Sequence, residues 1–191
     1  MTGPVRGDDG LLRCPWGDTP ADYRAYHDDE WGRPVHDERG LFERLSLEAF
    51  QSGLSWLTIL RKRSRFRAVF ADFEPAVVAA FTEADLTRLL ADPGIVRNRA
   101  KIEATVANAR AVAGLDRPLP QLLWSYAPDP AGHPAPIEVG DVAAMSPESV
   151  AVAADLRRRG FRFVGSTTAY APMQATGMVN DHLRDCHARN R

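Results

Sequence analysis

Apolar residues recur at helical spacing along most of the chain, and no stretch alternates apolar and polar positions for more than a few residues. Leu41, Leu45, Glu48/Ala49 and Ser52 fall on one stripe and predict a helix over 41–54, with Gly53 near its end. Similar spacing predicts a short helix from Pro20 to Trp31, which sets Tyr23, Tyr26 and His27 on adjoining faces. Further helices are expected over 56–70, 75–81 and 83–90, the last opened by Thr82 as N-cap with Asp85 at the capping-box position. The break Asp92-Pro93-Gly94 then leads at once into a helix over 98–112. Residues 114–141, rich in proline and glycine, read as a long connection with Leu122 to Tyr126 packing. Ser146-Pro147 opens the last clear helix and Gly160 closes it. Residues 1–11 lack periodicity and read as a flexible tail. The expected architecture is all-α, in a single domain over 12–191 with a helical hairpin near 82–112.

Composition narrows the class. A chain of 191 residues suits one domain, or one domain with a smaller lobe. With 45% hydrophobic residues and no apolar run near 18, it is expected to be soluble and to have no membrane partner. A formal charge of -1 does not announce a nucleic-acid partner, but local charge is uneven. Basic clusters occur at Arg61-Lys62-Arg63 with Arg65 and Arg67, at Arg97, Arg99 and Lys101, and at Arg157-Arg158-Arg159 with Arg162. Any one cluster has the ordinary reading of a solvated helix end. Lysine occurs twice, against 22 arginines.

Each of the two cysteines keeps company with a histidine. Cys14 is followed by His27, and His182 precedes Cys186 by four residues, one face of a helix if that segment is helical. Two thiolates and two imidazoles complete a tetrahedral zinc site with no position open for water, so such a site is structural and would tie the chain ends together. Inert buried thiols and a disulfide are the alternatives. The absence of a recognisable secretory segment points to the cytoplasm, where thiols stay reduced, and disfavours the disulfide.

The chemistry must then lie elsewhere. Trp16, Tyr23, Tyr26, Trp31 and Trp56 gather in the first third, around Glu48, the one carboxylate set in an apolar helix stretch. Singly, such a glutamate is more often turned outward and such aromatics more often form core. Together they suit a flat, positively charged ring: aromatic faces attract cations, and a carboxylate accepts charge-assisted hydrogen bonds from ring N–H groups. At the hairpin, backbone N–H groups near Gly94, with Arg97, Arg99 and Lys101, offer a sequence-independent phosphate contact.

Several motifs fall in one order: Arg13-Cys14-Pro15-Trp16, Tyr26-His27-Asp28-Asp29-Glu30-Trp31-Gly32, Leu47-Glu48 with Gln51 through Trp56, Gly94-Ile95-Val96-Arg97, Arg159 through Gly165, and Val179-Asn180-Asp181-His182 with Cys186. Over roughly residues 12 to 187 the chain resembles the bacterial 3-methyladenine DNA glycosylase I family. The resemblance implies a helix-hairpin-helix glycosylase fold of two lobes, with structural zinc held by Cys14, His27, His182 and Cys186. It assigns Glu48, Tyr26 and Trp56 to the base pocket, with Trp16, Tyr23 and Trp31 around it. The implied partners are double-stranded alkylated DNA and free 3-methyladenine as product, the implied state a monomer. Pro172 departs from the family pattern, so neither it nor its neighbours are given a site role. The lysine that related lyases place just past the hairpin turn corresponds by count to Asn98, which favours a monofunctional hydrolase. The competing readings are a non-catalytic lesion-binding protein, a bifunctional glycosylase/lyase, and a zinc hydrolase. The last is disfavoured because no His-Glu-x2-His motif is present.

Overall fold

A computed structural model describes residues 2–190. In chain order it contains strands β1 (Val5–Arg6) and β2 (Leu12–Arg13), then helices α1 (Ala21–Asp29), α2 (Glu38–Gln51), α3 (Trp56–Val69), α4 (Pro75–Ala79) and α5 (Glu83–Ala91). There follow α6 (Arg99–Ala113), α7 (Leu119–Trp124), α8 (Pro147–Arg158) and α9 (Ser166–Ala175). The starts follow the caps. The Asp37 carboxylate accepts from Gly40 N ahead of α2, and Thr82 with Asp85 forms a reciprocal capping box on α5. Asn98 caps α6 by accepting from Lys101 N, and Ser146 with Ser149 caps α8.

The axis of this frame is α2, buried at every residue from Leu45 to Phe50. Its burial comes from neighbours on several sides, since α2 packs against α3, α4, α6, α7 and α9. Phe42, Phe50, Phe66, Phe70 and Phe73, all fully buried, stack around its middle in one continuous core. Truncating one of these rings would cost about 3–5 kcal/mol. Glu48, on this central helix, is drawn almost entirely out of solvent.

Four expectations are corrected. First, much of the expected tail is hairpin: β1 pairs antiparallel with β2, Val5 opposite Arg13, and Gly7 N donates to Leu11 O. Arg13 at its end is 2% exposed and is gripped by Asp9 and Asp28, polar partners no apolar periodicity announces. Second, the proline-rich connection contains α7, whose Leu119, Leu122 and Leu123 enter the core. Third, a further helix, α9, follows α8 and runs through Pro172, its buried residues packing on α2 and α8. Fourth, His182 and Cys186 lie in irregular backbone on either side of a turn at Arg184-Asp185 rather than on a helix. The chain still brings them together because the turn closes with Cys186 N donating to Leu183 O.

Among the described residues, no helix is long and apolar enough to cross a membrane. The basic clusters of α3 are largely paired: Arg61 with Asp22, Arg63 with Glu30, Arg65 with Asp92, Arg67 with Glu43. Arg159 pairs with Asp116 and Asp155, which gives Asp116 a structural partner.

Candidate active site and metal centre

The metal centre begins with Cys14, just after β2, and with His27, in the last turn of α1. A side chain on Gly17 would overlap the His27 ring, so only glycine lets the 14–17 turn lie against α1. From the other end of the chain come His182 and Cys186. All four are buried, and their donor atoms lie within 4.8 Å of one another. Cys186 Sγ is 3.4 Å from His27 Nε2 and 3.6 Å from His182 Nδ1, and Cys14 Sγ is 3.8 Å from His182 Nδ1. Adjacent ligands of a tetrahedral zinc ion stand about 3.5 Å apart, so the donor set fits a metal ion of that kind.

The outer nitrogens support the same orientation. His27 Nδ1 is 2.7 Å from Asp28 Oδ1, and His182 Nε2 is 3.1 Å from Trp31 O, which leaves the inner nitrogens facing the cluster. Asp28 is held in turn by Arg13, whose Nε and Nη2 donate to it at 3.0 and 2.7 Å. Hydrogen bonding with Cys14 and then with the two histidines holds the Cys186 thiol far below its usual value, while the same partnership pushes Cys14 up. The lowering at Cys186 favours its thiolate, the form that binds metal.

Beside this centre lies a cavity of about 290 Å³. Every aromatic expected at the pocket lines it: Trp16, Tyr23, Tyr26, Trp31 and Trp56, together with Glu48. Tyr26 is 5.4 Å from Trp56 and tilted by 45°, and Trp16 meets Trp31 edge-on at 5.0 Å. Arg63 covers the outer face of Tyr26 at 5.8 Å. Tyr23 turns its hydroxyl to accept from Leu57 N at 3.0 Å, which fixes the start of α3 against α1. Glu48 is 7% exposed and forms no hydrogen bond or ion pair among the described residues. Burial alone pushes its carboxyl up to about 8, the behaviour of a group kept neutral by an apolar wall. Burial, then the field of Glu48, holds the Tyr26 phenol far above its usual value, so that ring stays neutral too.

Sequence reasoning passes over part of this wall. Gln51, Val139, Val142, Ala171, Gln174 and Asp181 also face the cavity. Ala171 and Gln174 are neighbours of Pro172, given no role from the sequence, and this is corrected: α9 brings them to the site despite the proline. Asp181 accepts from Tyr170 Oη at 2.8 Å and Gln174 Nε2 at 2.7 Å, and lies 2.7 Å from His133 Nε2. The Asn180-Asp181-His182 motif was the available signal for Asp181.

The hairpin residues separate into two kinds. Arg97 is exposed and forms no ion pair among the described residues, and Arg99 pairs only with exposed Glu83 and Glu103. Gly94 lies under Arg65, and its N–H already donates to Asp92 Oδ1 at 2.8 Å. Lys101 is not a surface contact. It is 6% exposed, and its ammonium donates to Phe50 O at 2.8 Å and Ser52 O at 2.5 Å, satisfying carbonyls at the end of α2.

A mostly helical frame, a Pro-Gly hairpin and an aromatic pocket with a buried carboxyl have the make-up of a helix-hairpin-helix DNA glycosylase. Residues 16–190 match the methyladenine glycosylase family, and the chain belongs to it. It is 42% identical to DNA-3-methyladenine glycosylase 1 of Escherichia coli (strain K12), covering 92% of this chain and 96% of that protein. A crystal structure of 3-methyladenine DNA glycosylase I superposes with a TM-score of 0.87 at 42% identity, covering 93% and 99% of the two chains. Another, a variant of a 3-methyladenine DNA glycosylase I in complex with 3-methyladenine, superposes at 0.85 with 34% identity, covering 94% and 98%.

Proposed function

We propose that this chain is a monofunctional DNA glycosylase that hydrolyses the N-glycosidic bond of 3-methyladenine in alkylated duplex DNA and so begins base excision repair. The observation that carries the reading is Glu48, buried and unpartnered among aromatic faces. Methylation at N3 makes the base cationic while it is still joined to the sugar. A nucleotide flipped from the stack can present that ring between Tyr26 and Trp56, with Trp16, Tyr23 and Trp31 closing the sides.

Glu48 supplies the selectivity. In the free protein near neutral pH it keeps its proton, since its carboxyl titrates at about 8. A cationic ring with N–H donors favours the carboxylate, so entry of the lesion offsets the cost of ionising Glu48. Neutral adenine can stack too, but it lacks the cationic attraction to the aromatic faces and brings no charge to offset that cost. In the reaction, water bonds to C1′ as the C1′–N9 bond breaks. The bonding pair goes to the base, which leaves neutral, and the water proton passes to solvent. The Glu48 carboxylate steadies the positive charge as it moves from ring to sugar.

Cys14, His27, His182 and Cys186 are assigned to zinc, which when bound supplies a fixed cross-link and no open coordination site. Three of the four ligands adjoin a pocket element: Cys14 precedes Trp16, His27 follows Tyr26, and His182 touches Trp31. Arg97 and Arg99 with the Gly94 turn are assigned to the phosphate backbone. Lys101 is withdrawn from that set by its burial. Pocket and metal centre are complete within one chain, consistent with a monomer.

The test is release of base from methylated duplex DNA, identified by chromatography, with wild type and Glu48→Gln compared. Release of 3-methyladenine without 7-methylguanine, reduced tenfold or more by the substitution, is expected. Binding to the alkylated duplex without release would establish the lesion-binding alternative instead.

A further inference from the structure

The two lysines are used alike: each ammonium is bonded to two main-chain carbonyl oxygens. Lys62, on α3, donates to Pro93 O at 3.1 Å and Gly94 O at 3.3 Å. Lys101, on α6, reaches the other way, to Phe50 O and Ser52 O. One link runs from the helix that starts at Trp56 to the turn between α5 and α6. The other runs from just beyond that turn to the end of the helix that carries Glu48. Arg65 adds a parallel link from α3, pairing with Asp92 at 2.6 Å. Phe50 and Ser52 flank Gln51, which lines the cavity, and the exposed residues 53–55 then lead directly to Trp56.

The residue type matters. An ammonium is a compact donor with three N–H groups that can converge two carbonyls on one point, whereas a guanidinium spreads its donors over a planar fork. A cation is also favoured at a helix C-terminus, where the unpaired carbonyls of α2 carry the negative end of the helix dipole. Neither ammonium lines the cavity.

We infer that Lys62 and Lys101 are paired positioning residues that hold the α5–α6 turn and the cavity wall of Gln51 and Trp56 as one unit. Seating the turn on a DNA backbone thereby sets where the flipped base meets that wall. This inference rests on the reading of the turn as the DNA contact.

The test compares Lys62→Met, Lys62→Arg and Lys101→Met in the metal-loaded protein. It follows melting, free 3-methyladenine affinity by tryptophan fluorescence, and single-turnover base release from alkylated duplex across a salt series. Lys62→Met is expected to lower release at saturating enzyme fivefold or more. Free-base affinity should stay within twofold, and the salt slope of DNA binding should not change. Lys62→Arg, which keeps the charge, should not restore the rate. A lysine that touches phosphate would behave oppositely: the methionine variant would lower the slope by about one and arginine would rescue it. That result, or an unchanged rate, overturns the inference. If Lys101→Met fails to fold, the Lys62 pair alone decides. Failure of the underlying reading is distinct, because Arg97→Ala with Arg99→Ala would then leave DNA affinity and its salt slope unchanged.

Discussion

Glu48→Gln isolates what it costs the fold to keep a carboxyl in the pocket. Burial raises that carboxyl from its ordinary 4.5 to about 8. Between those values the folded protein holds a proton that the unfolded chain has released, so stability declines as pH rises through the window. The slope approaches 1.4 kcal/mol per pH unit, and from pH 5.5 to 8.5 the loss amounts to about 3 kcal/mol. Glutamine has nearly the same shape and does not titrate. The variant should therefore gain on wild type as pH rises, by a margin that widens by about 3 kcal/mol over that range. For a domain of this size, that corresponds to about 6–12 °C in Tm. The assay is thermal or urea unfolding of both proteins at pH 5.5, 7.0 and 8.5 in matched salt and metal. A Tm difference that stays constant across the three pH values would show that Glu48 does not titrate in this window, and the charge-based account of selectivity would fall with it.

Three other substitutions and one trapping experiment probe the remaining parts. Cys186→Ser should abolish stoichiometric zinc and lower Tm by about 10 °C or more, with some base release surviving at low temperature; unchanged zinc content and melting would remove the four-ligand assignment. Asp28→Asn should weaken metal retention against a chelator by about 10–100-fold, since Asp28 orients His27, and equal retention would refute that role. Trp56→Ala should weaken free 3-methyladenine binding by about 1–3 kcal/mol, with metal content unchanged; undiminished affinity in a titration would place the stacking face elsewhere. Borohydride treatment during reaction should trap no covalent protein–DNA adduct, because both lysine amines are engaged by carbonyls. An adduct would establish lyase chemistry.

Much of the frame is legible from local chemistry. Thr82 with Asp85, and Ser146 with Pro147, mark helix starts that the structure reproduces, because a cap acts within three residues of itself. The gathering of Cys14, His27, His182 and Cys186, and of the aromatic residues around the cavity, is legible because few residue types can do that chemistry. What escapes is whatever depends on distant partners. Glu48 reads more readily as an outward-turned glutamate until five helices close around α2. Pro172 argues against a helix locally, yet α9 forms because its buried side chains pack on α2 and α8. Lys101 looks like a phosphate contact from its spacing, and only the end of α2, about fifty residues earlier, shows what its charge serves. His182 and Cys186 reach one centre through turns, a route that helical spacing does not anticipate.

The depth of the two sulfurs has a consequence for the conditions in which such a protein works. Alkylating agents that methylate purines also attack thiolates, and attack is governed by thiolate character and access. Cys186 has the character, but it is only 3% exposed and Cys14 only 2%. The chain offers no other sulfhydryl. A bound metal ion would occupy the same electron pairs that an electrophile needs. The chain can therefore meet the stress that creates alkylated bases with no exposed thiol to be consumed by it.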